Sequence, residues 1–293
     1  MLLSTQTDIL GRRFGDEQAV RMLAAAGFDA VDYSMFGMVD PAHLLRSDEA
    51  EAHMAKLLDT AKECGVVFNQ AHAPFSFGHL DEEGLKKEFF PTTVRSLELA
   101  SRLGVKIIVV HPIHNIPYFG NEERLYEMNM KFYRALIPYC EAYGIKVATE
   151  NMWKRDKLRG YILDDVCSRA KEFCRYLDDI GSEWIVGCLD LGHCGLVGVE
   201  AQDMIREMGG EHIHALHVHD NDYLSDAHTE PYSGKMDWME ITRALGEVNY
   251  RGDFTFEADN LFGNKSDAFV PVAAKYLHDI GRFMIGQIEN ARP

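Results

Sequence analysis

Short apolar runs alternate with amphipathic stretches along the chain, and this alternation constrains the fold more than any other feature of the sequence. Asp16 to Gly27 reads as a helix closed by glycine, followed by the strand FDAVDYSM. EAHMAKLLDTAKECG leads into VVFNQAHAPF, LKKEFFPTTVRSLELASRLG into VKIIVVHP, and MNMKFYRALIPYCEAYG into KVATENMW. CSRAKEFCRYLDDIG precedes VGCLDLGHC, a shorter helix near Ala201 to Met208 precedes IHALHVHDN, and DWMEITRALGEV precedes FTFEADN. The helix VAAKYLHDIGRFMIGQI comes last. With LLSTQTDI as a first strand, the count is about eight β-α units. The strands are nearly continuous apolar runs, as a parallel sheet buried on both faces requires. Strict alternation fits a barrel or a doubly wound sheet. No GxGxxG or Walker-type loop opens a helix, which weighs against a nucleotide-binding open sheet. The expected fold is therefore an α/β (β/α)₈ TIM barrel. The proline of KKEFFPTTV marks a kink or a join between two helical pieces.

The 293 residues suit one such barrel, and no linker or composition break divides them, so residues 1–293 are read as a single domain. No apolar run is long enough to span a membrane. The start, MLLSTQTDILGRRFG, lacks the basic and long apolar regions of a signal peptide. Six scattered cysteines with no CxxC pair read as reduced core thiols, and a cytoplasmic location is expected. The net charge is −16, which repels polyanions and argues against nucleic-acid partners.

The polar residues concentrate where strands end. VVFNQAH ends at His72, VKIIVVH at His111, KVATE at Glu150, VGCLD at Asp190 with His193 after it, and FTFE at Glu257; IHALHVHD carries His217, His219 and Asp220. In a (β/α)₈ barrel these ends form the active-site rim, so groups remote in sequence converge. Three carboxylates at one mouth repel one another and call for a cation. With one imidazole they make a hard, oxygen-rich site that suits one Mn²⁺ or Mg²⁺ ion and admits Co²⁺ or Zn²⁺. The bland alternative is that each carboxylate merely caps a helix or meets an arginine.

In its pieces VVHP (109–112), ATEN (148–151), LDLGH (189–193), HVHD (217–220), DAH (226–228), GKMDW (234–238) and FTFEAD (254–259), the chain resembles the xylose isomerase-like superfamily of sugar isomerases and epimerases, which also contains the endonuclease IV family. Resemblance to its ketose 3-epimerase branch implies a metal quartet of Glu150, Asp190, His217 and Glu257. His217 is preferred to His219 because the pattern there is His, two residues, then an acid. The resemblance also implies substrate contacts from His193 and Asp156. An arginine of that pattern is replaced here by Tyr223, which departs from a simple free-ketohexose epimerase. His72, His111, Asp226 and His228 match positions that build the trinuclear zinc cluster of endonuclease IV. In the sugar branch similar histidines meet substrate hydroxyls. His72, His111, Trp153, His219 and His228 are accordingly read as substrate contacts, with a plain hydrogen-bonding role open for His219 and His228.

The expected reaction is proton abstraction next to the carbonyl of a small carbohydrate through a metal-stabilised enediolate, with Glu150 and Glu257 as acid and base on opposite faces. A dehydratase or lyase of the same fold, acting on a keto-inositol, keto-glycoside or dehydroshikimate, is the nearest alternative. A DNA-repair phosphodiesterase and a non-catalytic sugar-binding scaffold are more distant ones. By analogy with the resembled family, a homo-oligomer is expected.

Overall fold

The computed structural model describes residues 1–75 and 77–293. Ten strands are present among them: β1 (Leu3–Thr5), β2 (Ala30–Ser34), β3 (Val67–His72), β4 (Ile107–Val109), β5 (Lys146–Glu150), β6 (Trp153–Arg155), β7 (Ile162–Asp164), β8 (Ile185–Asp190), β9 (Ile213–His217) and β10 (Phe254–Phe256). A six-stranded parallel sheet runs β2-β3-β4-β5-β8-β9, and β1 pairs in parallel with β10. Single parallel bridges, Gln6 to Asp32 and Val218 to Phe256, tie this pair to the two edges of the larger sheet. The sheet is thus curled, and the backbone groups of its edge strands find partners.

Eight helices cover the outside of the sheet: Asp16–Ala26, Ala50–Cys64, Phe90–Arg102, Glu122–Tyr143, Ala170–Ile180, Ala201–Met208, Trp238–Glu247 and Val270–Asn290. Each packs on the next, and the last packs on the first. The main core lies between these helices and the strands, where Leu3, Leu23, Phe173, Phe254 and Phe256 are fully buried. A second, smaller apolar cluster holds Val109, Ala148, Val186, Cys188 and Ala215. Strand side chains alternate between faces, so this cluster occupies the inner face of the sheet. Two residues further along the same strands, on that same face, come His111, Glu150, Asp190 and His217. The two-residue period that fills the interior thus also delivers the polar rim.

Two local features differ from the sequence expectation, and a third, an expected join, takes a specific form. KVATENMW is not one strand: pairing with β8 stops at Glu150. The Asn151 amide then donates to the Asp190 carbonyl (2.9 Å) and accepts the Asp190 N–H (2.8 Å), stitching the ends of β5 and β8 together. The chain next forms an antiparallel hairpin, β6–β7, whose three-residue arms were too short to give a strand signal. VGCLDLGHC likewise stops at Asp190, whose carboxylate accepts the N–H of His193 (2.7 Å) and caps a short helix, Leu191–Leu196. Finally, the join expected at Pro91 is a π-helical turn, Leu85–Phe89, running into the helix Phe90–Arg102. All six cysteines are free thiols, and no described helix is long and apolar enough to cross a membrane.

Candidate metal centre

Four strand ends bring together Glu150, Asp190, His217 and Glu257, with one donor atom from each lying within 4.8 Å of the others. All four are buried. Nδ1 of His217 lies 3.2 Å from Glu150 Oε1, 3.3 Å from Glu257 Oε2 and 3.9 Å from Asp190 Oδ2, so this nitrogen faces the carboxylates. His219 sits beside the quartet and places Nε2 3.1 Å from Asp190 Oδ1. Glu150 Oε2 is buried and makes no well-aligned hydrogen bond, although His111 Nε2 lies 3.2 Å away. Three buried carboxylates converging on one point, with no Lys or Arg of the described residues among their ion pairs, are what a cation site leaves in the protein. The donor set of three carboxylates and one imidazole therefore fits a divalent ion.

Two more groups flank the quartet. His72, Glu150 and His217 form one; His193, His219, Asp226 and His228 form the other. The histidine orientations are fixed by backbone acceptors. Nδ1 of His72 bonds the Ala73 carbonyl (2.7 Å), Nδ1 of His193 the Asn151 carbonyl (2.8 Å), and Nδ1 of His228 the Glu257 carbonyl (2.9 Å). In each ring Nε2 is thereby directed at the site: His72 toward Glu150 Oε2 (3.7 Å), and His193 and His228 toward Asp226 Oδ2 (3.7 and 3.1 Å). His111 Nε2 lies 3.2 Å from Glu150 Oε2. The rings of His219 and His228 stack at 4.2 Å.

The electrostatics divide the carboxylates. Burial would raise the Glu150 carboxyl, but the imidazoles of His217 and His111 outweigh it and hold Glu150 well below the usual range. Burial, then the charges of Glu150 and Asp190, push Glu257 well above it. In the metal-free site the two carboxyls are thus shifted in opposite directions. Burial disfavours charge on His193, yet Asp190 and Asp226 overcome this and raise it to about 10; Asp226 likewise raises His228, to about 9, against its burial. Burial dominates at His111 and lowers it to about 4.

Other sequence-predicted residues stand further out. Trp153 is half-buried at the start of β6, its ring 6.4 Å from that of His193. Asp156 accepts the N–H groups of Leu158 and Arg159 and pairs with the Arg159 guanidinium (2.9 Å), so its carboxylate is engaged in the turn between β6 and β7. Tyr223, where the family pattern has an arginine, donates its hydroxyl to the Lys235 carbonyl (3.0 Å). The HVHD and GKMDW pieces meet at Asp220, whose carboxylate accepts from the backbone of Asn221, Gly234 and Met236 and from the Trp238 indole (2.7 Å). This knot closes the loop that carries Asp226 and His228.

Sequence reasoning missed four nearby groups. Phe36 sets an edge against His72 and Phe75 stacks on His111, each with centroids 4.9 Å apart, giving the site an aromatic wall. Nothing in the sequence marked these phenylalanines. Asp32 and Gln70 lie on the inner face of β2 and β3, opposite one another in register, with Gln70 Nε2 donating to Asp32 Oδ2 (3.0 Å). An acid inside the run AVDY was the available signal for Asp32.

Known proteins agree with this architecture. The chain is 27% identical over 164 residues to the uncharacterized protein y4fM of Sinorhizobium fredii, a match that takes in 55% of the chain and spans half (50%) of that relative's length. It is 25% identical over 245 residues to a D-psicose 3-epimerase of Enterocloster bolteae, covering 80% of the chain and 74% of that enzyme. Among solved structures, a D-tagatose 3-epimerase-like protein superposes with a TM-score of 0.77 at 20% identity, covering 99% of each chain. A sequence model of the family described as xylose isomerase-like TIM barrel matches residues 20–270, and with the strand-end site in place the chain belongs to that family.

Proposed function

We propose that this chain is a divalent-metal-dependent isomerase or epimerase of a sugar or sugar derivative, a (β/α)₈ enzyme that moves a proton next to a carbonyl. The observation that carries the reading is the buried quartet Glu150, Asp190, His217 and Glu257, whose donor atoms converge within 4.8 Å of one another. The likeness to D-psicose 3-epimerase supports the choice of reaction class.

The four residues would hold one ion, Mn²⁺ by preference, which when bound supplies Lewis-acid polarisation of a carbonyl and its neighbouring hydroxyl. Glu150 and Glu257 take the acid and base roles: one removes the proton α to the carbonyl and the other returns it from the opposite face. His193 and His228, which Asp226 favours in the protonated form, donate to substrate oxygens where negative charge grows. His72, His111, His219 and Trp153 line the remaining wall, and Asp156 contacts the substrate from the hairpin turn by giving up its pairing with Arg159. The aromatic face of Phe36 and Phe75 excludes water from the proton being moved. The substrate is a small carbohydrate. We further propose a single-domain cytoplasmic protein that assembles as a homo-oligomer.

The test is turnover in D₂O with a panel of ketoses, inososes and keto-glycosides, followed by NMR. Deuterium uptake at the carbon next to the carbonyl, lost in Glu150→Gln and Glu257→Gln variants of measured metal content, is expected. Turnover without uptake at partial conversion would indicate a hydride shift and remove both glutamates from acid-base work.

A second reading is favoured by the two flanking donor groups, which would allow three ions and a phosphodiesterase of the endonuclease IV kind. The charge of −16 opposes a polyanionic substrate. Elemental analysis showing one ion per chain, with no nicking of abasic DNA, favours the sugar enzyme; three ions with metal-dependent nicking favours the nuclease.

A further inference from the structure

We infer that Asp32 is a positioning residue for the metal site: it orients His217 and fixes which ring nitrogen is free to bind an ion. This rests on the quartet reading above. Nδ1 of His217 faces the three carboxylates, so Nε2 points the other way, down into the barrel interior. There it is fully buried and has no hydrogen-bond partner. Asp32 is also buried, its Oδ2 lies 3.8 Å from this nitrogen, and its Oδ1 has no partner either. A buried, unpartnered ring nitrogen thus lies 3.8 Å from a buried carboxylate oxygen, and a shift of about an ångström brings the two to hydrogen-bond distance.

The arrangement has a chemical consequence. A neutral imidazole carries its proton on one nitrogen and offers a lone pair on the other. A carboxylate beside Nε2 keeps the proton there and leaves Nδ1 as the ligand, while raising its basicity. Gln70 secures the carboxylate: its amide donates to Oδ2, and the two residues are register partners on β2 and β3. The His72 ring, stacked on His217 at 5.3 Å and 13°, blocks rotation out of this plane. A line therefore runs from Gln70 through Asp32 to His217 and the quartet, one layer beneath the site. Because Asp32 touches none of the reacting atoms, its effect passes through His217 alone.

The Asp32→Asn substitution tests this closely. The asparagine oxygen, in the place of Oδ2, would keep the Gln70 bond and offer His217 Nε2 a neutral amide oxygen instead of a carboxylate. A neutral amide oxygen holds a proton on Nε2 less firmly than a carboxylate does, so the proton is freer to move to Nδ1, the nitrogen the ion needs. Zn²⁺ affinity of the full chain, measured by chelator competition, should fall about 10- to 100-fold in Asp32→Asn and Asp32→Ala. Melting of the metal-free Asn variant should stay near wild type. In ¹⁵N-histidine-labelled, Zn²⁺-loaded protein, wild type should show a downfield Nε2–H proton for His217, shifted or lost in both variants. Should Asp32→Ala fail to fold, the isosteric Asn variant carries the test. Wild type binding Zn²⁺ while both variants bind it within twofold, with the Nε2–H signal unchanged, overturns this inference alone. Wild type taking up no Zn²⁺ or Mn²⁺ overturns the quartet reading, and this inference with it.

Discussion

Replacing Glu257 with Gln should act in opposite directions on the metal-free and metal-loaded protein. Donor atoms of Glu150, Asp190 and Glu257 lie within 4.8 Å of one another. Two unit charges at that separation repel by about 3.5 kcal/mol at an effective dielectric near 20, so a charged Glu257 meeting two neighbours would cost about 7 kcal/mol. In the metal-free protein burial and those same neighbours raise the Glu257 carboxyl well above its usual range and so favour its protonated form. A neutral amide in its place would remove the conflict at every pH. Metal-free Glu257→Gln should therefore melt at or above metal-free wild type, with the difference widening as the pH rises and wild type is forced to ionise. With saturating Mn²⁺ the sign reverses. Loss of an anionic ligand should weaken binding by about 100-fold, at the upper end of what even outer-shell partners contribute, or about 2.7 kcal/mol of linked stability. A chain of 293 residues has an unfolding entropy of about 0.6 kcal/mol/K, so the metal-induced rise in melting temperature should shrink by about 4 °C. Scanning calorimetry at pH 7 and 9, with chelator and with Mn²⁺, supplies the four comparisons, and elemental analysis gives occupancy. The reasoning fails if the metal-free variant melts several degrees below wild type and gains as much from Mn²⁺ as wild type does.

Three further outcomes follow from particular contacts. Glu172 accepts from Tyr118 and from the Cys167 backbone, and burial raises it to about 7; its favourable protonated form is fully present below about pH 4.5 and lost as pH rises through about 7, so the carboxylate costs the fold roughly 3 kcal/mol at pH 8. Glu172→Gln should match wild type near pH 4.5 and melt higher at pH 8, and equal melting at both values would contradict the assignment. Asp220→Asn turns one of two fully used acceptor oxygens into a donor facing N–H groups; a loss of about 3 kcal/mol is expected in urea unfolding, and a loss under 1 kcal/mol would show that the loop does not depend on this knot. Gly192→Ala would place a methyl group into the His219 ring, already stacked on His228; a cost of about 1–3 kcal/mol and displacement of His219 from Asp190 are expected, and a variant with unchanged stability and an unchanged His219 NMR signal would refute the clash.

The fold class was legible because it depends on periodicity, which a chain carries locally: continuous apolar strands alternate with amphipathic helices, and the sequence expectation of a barrel agrees with the family to which the chain belongs. The places of the side chains that converge on the candidate site were legible for a related reason. Glu150, Asp190, His217 and Glu257 each end or follow a run of strand residues, and polar groups at the ends of apolar strands stand out in one dimension. The β6–β7 hairpin was not legible, because its three-residue arms are too short to give a strand signal until they pair. Which of His217 and His219 faces the quartet also lay beyond the sequence. Two residues apart, they share a side of the chain, and only the positions of Glu150 and Glu257 on other strands put Nδ1 of His217 among the carboxylates and leave His219 beside Asp190 and Asp226. The same holds for Asp32: its sequence neighbours mark it merely as an acid in an apolar run, and curling of the sheet is what carries it beneath a histidine 185 positions later. Propensity and hydrophobic period act between near neighbours, whereas the direction of a buried nitrogen and the proton on a carboxyl depend on charges from strands remote in the chain, and those meet only once the sheet has curled.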